Sequence, residues 1–373
     1  MTQQYILIVQ YDGTRFHGFQ RQYSQPNTDI SSISSSNKKN KKQTIQPPMK
    51  KVPRYDLDTG LRRPLENEIT IQDCLERAIL HWVNTHTNSA TANGTQSWSL
   101  QQLAFQFASR TDKGVHARGQ VVSVLLPHDM IDPISTWQML KAINVRLPVD
   151  ISISRILQMA PGQTLDPRRD AQHKQYSYTI RFQRQSVGEK NKHKQDKSIS
   201  GQTFRQALDD SPCLWACPWA LDDALMPKIC QRLKGTHDYS AFVHRDDRDK
   251  MDHNLTVTRF DFEIVQETSN AQQQYQEATN IFANKDDPRI DKGIHAYTEE
   301  EDPAVIILGK FLVEAKGFRR TMVRNLVGFV VDVCRGEQSQ DIIEHSLWNA
   351  PAEAAEKVKA APASGLCLEY IKY

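Results

Sequence analysis

Ten residues, Arg110-Thr-Asp-Lys-Gly-Val-His-Ala-Arg-Gly119, place one carboxylate, Asp112, among four cationic or titratable side chains, Arg110, Lys113, His116 and Arg118. Asp followed by Gly two residues later marks a turn, because Asp bonds to nearby backbone and Gly accepts angles that other residues avoid. The stretch is expected to present an oriented, exposed and ionised acid, the state that nucleophilic chemistry requires. Asp-Lys-Gly is also an ordinary turn sequence, so its surroundings must carry the argument.

A second constellation is Gly317-Phe-Arg-Arg-Thr-Met-Val-Arg-Asn-Leu-Val-Gly328. Arg320 and Arg324 stand one helical turn apart on the same face, where two cations repel unless an anion answers them. A structural ion pair, an RNA phosphate and a catalytic carboxylate each meet that need. Phe318 and Gly328 read as packing devices at a strand-to-helix junction and a close helix contact.

The elements that must position these residues follow from periodicity. Tyr5 to Tyr11 reads as a strand. Thr70-Ile-Gln-Asp73 opens an amphipathic helix over about 70 to 84, with Ile71, Leu75, Ala78, Ile79 and Trp82 at helical spacing. The polar stretch 84 to 99 has the composition of a loop, and Leu103 to Ser109 reads as a strand that delivers the chain into the Asp112 turn. Gly119 to Leu126 leaves the turn as another strand. Asp132-Pro133 is expected to cap a helix carrying Trp137, Leu140 and Ile143, which ends at Asn144-Val-Arg-Leu-Pro148. Strands resume at Ile151 and recur at 175 to 182, 255 to 265 and 305 to 315, while 204 to 234 is expected to be helical with interruptions. Met322, Val323, Leu326, Val327, Val330, Val331 and Cys334 follow a 3.6-residue period toward Gly336, the pattern of a buried helix with a stop signal. Strands with helices after pairs of them, in two halves, indicate an α+β fold with helices packed on a mainly antiparallel sheet. The expected domains are 1–148, carrying Asp112, and 149–373.

At 373 residues the chain is long enough for two cores. No apolar run approaches the roughly 20 residues that span a bilayer, and the first residues read as a strand rather than a signal peptide. Six cysteines, Cys74, Cys213, Cys217, Cys230, Cys334 and Cys367, lack paired CxxC spacing, which argues against a zinc site and for reduced thiols in an intracellular, first of all cytoplasmic, setting, with nucleus or organelle left open. Residues 23 to 65 form a polar, low-complexity tract expected to be a disordered insertion. A second insertion is expected at about 267 to 303. Glu267 to Asp302 holds nine acids and three bases, a balance of −6 that leaves +9 on the rest of a chain whose net charge is +3. That basic excess favours a polyanionic partner.

An ordered set of motifs carries a resemblance. Tyr11-Asp-Gly-Thr-Arg-Phe-His-Gly-Phe-Gln-Arg-Gln22 is similar to an opening YDGTxYxGWQRQ, Ile71-Gln72 with Leu75-Glu76 to a VQxxLE helix, and Arg110 to Ala117 to a nucleophile motif. Asn144 to Pro148 with Asp150-Ile151, Gln175-Tyr-Ser-Tyr178, Gly235-Thr-His-Asp-Tyr239, Phe318 to Gly328 and Gly365-Leu-Cys-Leu368 continue the series. The chain resembles the TruA-type tRNA pseudouridine synthases along nearly its whole length outside the insertions. Phe16 and Phe19 replace the usual Tyr and Trp, Leu165 to Asp170 follows an FxARxxA stretch only loosely, and Arg319-Arg320 replaces commoner neutral residues.

The resemblance implies two similar RRM- or ferredoxin-like halves whose mainly antiparallel sheets join around a central RNA-binding cleft. It implies that Asp112 is the nucleophile, that Tyr176 stacks on the target base and moves a proton, that Arg324 pairs with Asp112, and that Arg110 holds the flipped-out nucleotide. A guanidinium there is expected to keep the Asp112 pKa low. Arg15, Arg21, Lys113, His116, Arg118, Arg168, Arg169 and Arg320 are assigned to binding tRNA, with Lys174 and Arg319 along the same track. The implied partners are tRNA, at anticodon-arm positions 38 to 40, and a second copy of the chain in a homodimer. No membrane, metal or organic cofactor is expected. Two other readings are a non-catalytic tRNA-binding or folding factor and an Asp-dependent nucleosidase, the latter requiring a second carboxylate as acid.

Overall fold

A computed structural model of the chain describes residues 2–21, 69–90, 97–127, 135–185, 213–269, 305–340 and 355–373. The tract at 23 to 65, Asp132-Pro133, 204 to 212 and the acidic stretch beyond Ser269 lie outside the described residues.

The strands are β1 (Thr2–Tyr11), β2 (Gln106–Phe107), β3 (His116–Pro127), β4 (Ile151–Gln158), β5 (His173–Arg184), β6 (Trp215–Leu221), β7 (Gly235–Asp238), β8 (Asn254–Ser269), β9 (Val305–Ala315) and β10 (Leu366–Lys372). They form a single sheet in the order β4-β1-β3-β10-β5-β9-β8-β7, with β2 added to β3 and β6 to β5. Among the described residues, only the β10/β3 and β5/β6 pairs are parallel. The helices are α1 (Ile71–Ala90), α2 (Leu100–Leu103), α3 (Thr136–Asn144), α4 (Met226–Leu233) and α5 (Met322–Cys334). The fold is α+β, with few helices against one large, mostly antiparallel sheet.

Alternation along β1 divides its two faces. Tyr5, Leu7, Val9 and Tyr11 enter the main apolar cluster, which also takes in Leu75, Ile79 and Trp82 of α1 and Leu326, Val327 and Val330 of α5. Ile6 joins a smaller cluster with Ala108 and Val121. β10 joins the two ends of the chain's sheet order, bonding to β3 through Cys367 and Leu368 and to β5 from Leu366 to Lys372. β4 lies on the far side of β1, paired antiparallel with it from Ile151 to Gln158.

Several expectations need correction. Leu103 to Ser109 is not a strand: α2 occupies Leu100–Leu103, Ala104 turns the chain at φ +43, and only Gln106–Phe107 pairs with β3. The Ser99 N–H donates to Gln102 Oε1 at 2.8 Å, closing a helical turn whose Leu103 is buried. α1 runs to Ala90, past the expected end at 84, because no Gly or Pro interrupts it. Ser135 caps α3, and that helix buries Met139 and Ile143 while Trp137 stays 60% exposed with Lys141 Nζ 3.7 Å over its ring. Residues 215 to 221, expected to be helical, form β6, which takes the edge of β5 from Ile180 onward, beyond the point where β10 pairing ends at Tyr178.

Arg21, assigned to tRNA binding from its motif, is turned inward. Its guanidinium forms ion pairs with Asp73, at 2.9 Å, and with Glu76, both buried on α1. Removing one partner of a buried charge cluster leaves the others uncompensated. Arg21→Ala is expected to lower the unfolding free energy by about 3 kcal/mol, measured by denaturant titration.

Candidate active site

Asp112 lies on the turn between β2 and β3. Val115 N–H donates to Asp112 O at 3.1 Å, and Gly114 takes φ +78, a backbone angle that strains any residue with a Cβ. The first motif holds this turn from behind: Phe19 N–H donates to Thr111 O at 3.1 Å, and Tyr11 Oη lies 2.7 Å from Thr111 Oγ1. The opening motif therefore acts as a cradle for the Asp112 loop.

Arg324 comes from α5. Of its 13 residues, 12 are buried and Arg324 is the exception, so a helix otherwise surrounded by core presents one cation to the cleft. Arg324 Nη1 stands 3.8 Å from Asp112 Oδ2, with the two side chains 20% and 29% exposed. Arg324 is itself clipped in place: its Nε donates to Ala361 O at 2.7 Å, and Ala361 N–H donates to Arg324 O at 3.0 Å. The strand-like segment that does this fits because residue 328 is glycine. A Cβ there would sit 1.9 Å from Lys359 O. Gly328→Ala is expected to cost about 3 kcal/mol of stability as the segment is pushed away, with a lowered thermal midpoint as the measurement.

Burial raises the Asp112 pKa above the ordinary carboxylate range, and Arg324, Arg320 and His244 pull it down without cancelling that effect. This corrects the expectation of a low pKa: taking the carboxylate out of water outweighs the nearby cations.

Tyr176, on β5, is buried. Its Oη lies 2.6 Å from Ser109 Oγ, and its ring meets Phe318 edge-on at 5.4 Å between centroids. Burial, reinforced by the Asp112 charge, pushes its hydroxyl up to about 12, so at neutral pH it is a phenol that can donate.

The remaining assigned residues divide into two groups. Arg110 and Arg168 are both exposed and close enough that Arg110 lowers the Arg168 pKa, after burial, and Arg168 lies 5.5 Å over the Phe107 ring. Buried Lys174 donates to Ala108 O at 2.6 Å, its pKa lowered to about 8 by burial and by Arg168. These three cations gather beside the Ser109 end of the turn. Arg320 is exposed beside α5, after which Thr321 takes a left-handed φ of +60. The others face protein partners: Arg15 bonds Asp150 through Nε at 2.8 Å, Arg118 meets Glu369 at 2.9 Å, and Lys113 Nζ lies 3.0 Å from His17 Nε2. Buried His116 takes the Gly13 N–H on Nδ1 at 3.3 Å, with Asp12 at 3.1 Å. Arg169 is exposed, 3.7 Å from Asp166.

Sequence reasoning missed Ser109, Ala361 and His244. None stands in a chemically distinctive pattern, and each reaches the site through tertiary contacts.

A carboxylate and a guanidinium 3.8 Å apart beside a buried phenol, with three cations alongside, suit an anionic substrate. The family profile described as tRNA pseudouridine synthase matches residues 229–373, which include Arg324 and its helix. The tRNA pseudouridine synthase A of Thermodesulfovibrio yellowstonii is 24% identical over 98% of this chain and 98% of its own length. The chain is similar to the TruA-type tRNA pseudouridine synthases along nearly its whole length. The proteins of the same name from Thermosynechococcus vestitus and Methanopyrus kandleri are 26% identical over 100% of this chain and 86% of that protein, and 28% identical over 76% and 77%. The first two relatives span Asp112 and Tyr176 as well, so the resemblance is not confined to the C-terminal half. On this likeness the chain is an isomerase-type enzyme. No helix among the described residues is long and apolar enough to cross a membrane.

Proposed function

We propose that this enzyme converts uridine to pseudouridine in the anticodon stem-loop of tRNA, at positions 38 to 40, with Asp112 as its covalent nucleophile and no metal or organic cofactor. The observation that carries this reading is the pairing of Asp112 with Arg324, the single cleft-facing residue of an otherwise buried helix.

In the reaction the Asp112 carboxylate attacks either C6 of the pyrimidine or C1′ of the ribose. The N1–C1′ bond breaks, the uracil turns, and a C5–C1′ bond forms. The C5 proton leaves, N1 regains a proton, and the carboxylate is released, so atoms balance without an external reagent. Arg324 holds the carboxylate in place and stabilises its ionised form. Tyr176 supplies an aromatic surface for a base taken out of its stack. Arg110, Arg168 and Lys174 form a cationic track for phosphates, and such contacts set register rather than sequence choice. Arg320 lies on the opposite flank. The enzyme is proposed to act in the cytoplasm as a homodimer whose second subunit helps grip the tRNA.

Pseudouridine mapping on an unmodified tRNA transcript tests this. The expected signal is confined to the anticodon arm. Pseudouridine elsewhere overturns the positional assignment, free uracil indicates a hydrolase, and tight binding with neither product supports a non-catalytic tRNA-binding factor.

A further inference from the structure

Besides the two arginines, a histidine stands on a loop that α5 and the residues before it hold in place. His244 lies between β7 and β8, at the start of the one-turn 3-10 helix Arg245–Asp247. In its protonated form it acts on the Asp112 carboxylate in the same sense as Arg324 and Arg320. The backbone around it is tied to the helix that carries Arg324. Asn325, the next residue on α5, donates through Nδ2 to Phe242 O at 2.7 Å, and the His244 N–H donates to Arg320 O at 3.2 Å. Arg248 adds two bonds, from Nε to Val243 O and from Nη2 to Ala355 O, each at 3.3 Å. One turn of α5 thus places both the Arg324 guanidinium and the loop that bears His244.

The ring has a defined orientation. Its Nδ1 accepts the Asp246 N–H at 3.3 Å, with the Asp246 carboxylate 3.5 Å away. A neutral imidazole that accepts at Nδ1 carries its proton on Nε2, which makes Nε2 a hydrogen-bond donor. The side chain is 32% exposed, so it is not sealed into the core.

The chemistry has a use for such a donor. Once the N1–C1′ bond has broken, the detached uracil carries negative charge shared between its ring nitrogens and carbonyl oxygens. A prearranged donor on one of those oxygens stabilises the charge and keeps the ring in the site while it turns. Two donors around Asp112 already have protein partners: Arg324 Nε bonds Ala361 O, and Tyr176 Oη is paired with Ser109. We propose that His244 is a further substrate-contacting residue, its Nε2–H donating to a carbonyl oxygen of the target uracil beside Asp112. This rests on the reading of the site as a pseudouridine synthase.

The test compares wild-type protein with His244→Ala, His244→Gln and His244→Asn. The readouts are single-turnover tritium release from tRNA labelled at uridine C5, tRNA binding, and thermal midpoint. The expected result is a rate about 100-fold lower for His244→Ala, with the tRNA dissociation constant within about twofold of wild type and the midpoint unchanged. His244→Gln, whose amide N–H reaches about as far as Nε2, restores most of the rate, whereas His244→Asn, which matches only the Nδ1 position, does not. Rescue by Asn and not by Gln would assign His244 to anchoring the loop and overturn the proposal, as would a fully active His244→Ala. Wild-type protein that releases no tritium overturns the parent reading as well, so the two failures are told apart by the wild-type result alone.

Discussion

Asp112→Asn is expected to abolish tritium release and pseudouridine formation, lowering the rate by at least about four orders of magnitude, the scale on which covalent nucleophiles matter. The amide keeps the shape of the carboxylate but cannot form the covalent adduct. The variant is expected to remain folded, and the sign of the pKa shift says why. Burial raises the folded-state pKa of Asp112 above that of an unfolded carboxylate. Such a group contributes stability that is present at acid pH, below its unfolded value, and is lost as pH rises through the folded value. At neutral pH the ionised carboxylate therefore costs stability, and a neutral amide relieves that cost. The thermal midpoint of Asp112→Asn should equal or exceed that of wild type, and tRNA binding should persist. An inactive variant that is also unfolded would leave the loss unexplained by nucleophile removal and would contradict this account of the site's electrostatics.

Arg324→Gln is expected to lower activity at neutral pH by about 100- to 1,000-fold and to move the acid limb of the kcat/KM profile to higher pH. Arg324 is the largest of the three influences that lower the Asp112 pKa, standing 3.8 Å from its carboxylate. With that guanidinium gone, burial acts against weaker opposition from Arg320 and His244, and the carboxyl holds its proton to a higher pH. Since only the ionised form attacks, activity should be partly restored by raising the pH. The Gln amide can still donate toward Ala361 O, which preserves the clip on α5 and separates charge from packing. A variant with the same loss of rate and an unmoved acid limb would show that Arg324 positions the loop or the RNA instead of holding the charge.

The two chemical motifs were legible in the sequence because each is local. Asp112 and Gly114 are two residues apart, so their turn depends only on backbone preferences within the motif, and the structure has that turn with Gly114 at φ +78. α5 was equally legible, since its apolar residues recur over 13 positions and tertiary packing only had to bury what the period already implied. The helix α1 was found, although its end was not, because termini depend on caps and neighbours more than on the repeat.

The errors share a cause. Residues 103 to 109 and 215 to 221 are short, and both contain aromatic and aliphatic residues compatible with strand or helix. One was settled by a Ser99 to Gln102 bond that closed a helical turn, and the other by an open edge on β5 beyond Tyr178. β10 was visible only as a motif. Its seven residues become a central strand because two distant segments, β3 and β5, leave room between them.

Residue chemistry also stopped short of residue roles. A motif arginine such as Arg21 looks like any other RNA-binding cation until the two carboxylates on α1 are seen to enclose it. Asp112 looked strongly acidic until burial entered, and burial is a property of everything packed around a group. By itself the sequence determined the family likeness, the Asp112 turn, the cationic helix and the α+β class, since these are written in local spacing and in ordered motifs. Only the tertiary structure decided that Arg324 meets Asp112, that Tyr176 is a buried phenol on Ser109, and that Arg21 and His116 face inward. Those facts depend on contacts between segments far apart in the chain, such as Ser109 with Tyr176, a separation of 67, and no spacing rule along the chain reaches that far.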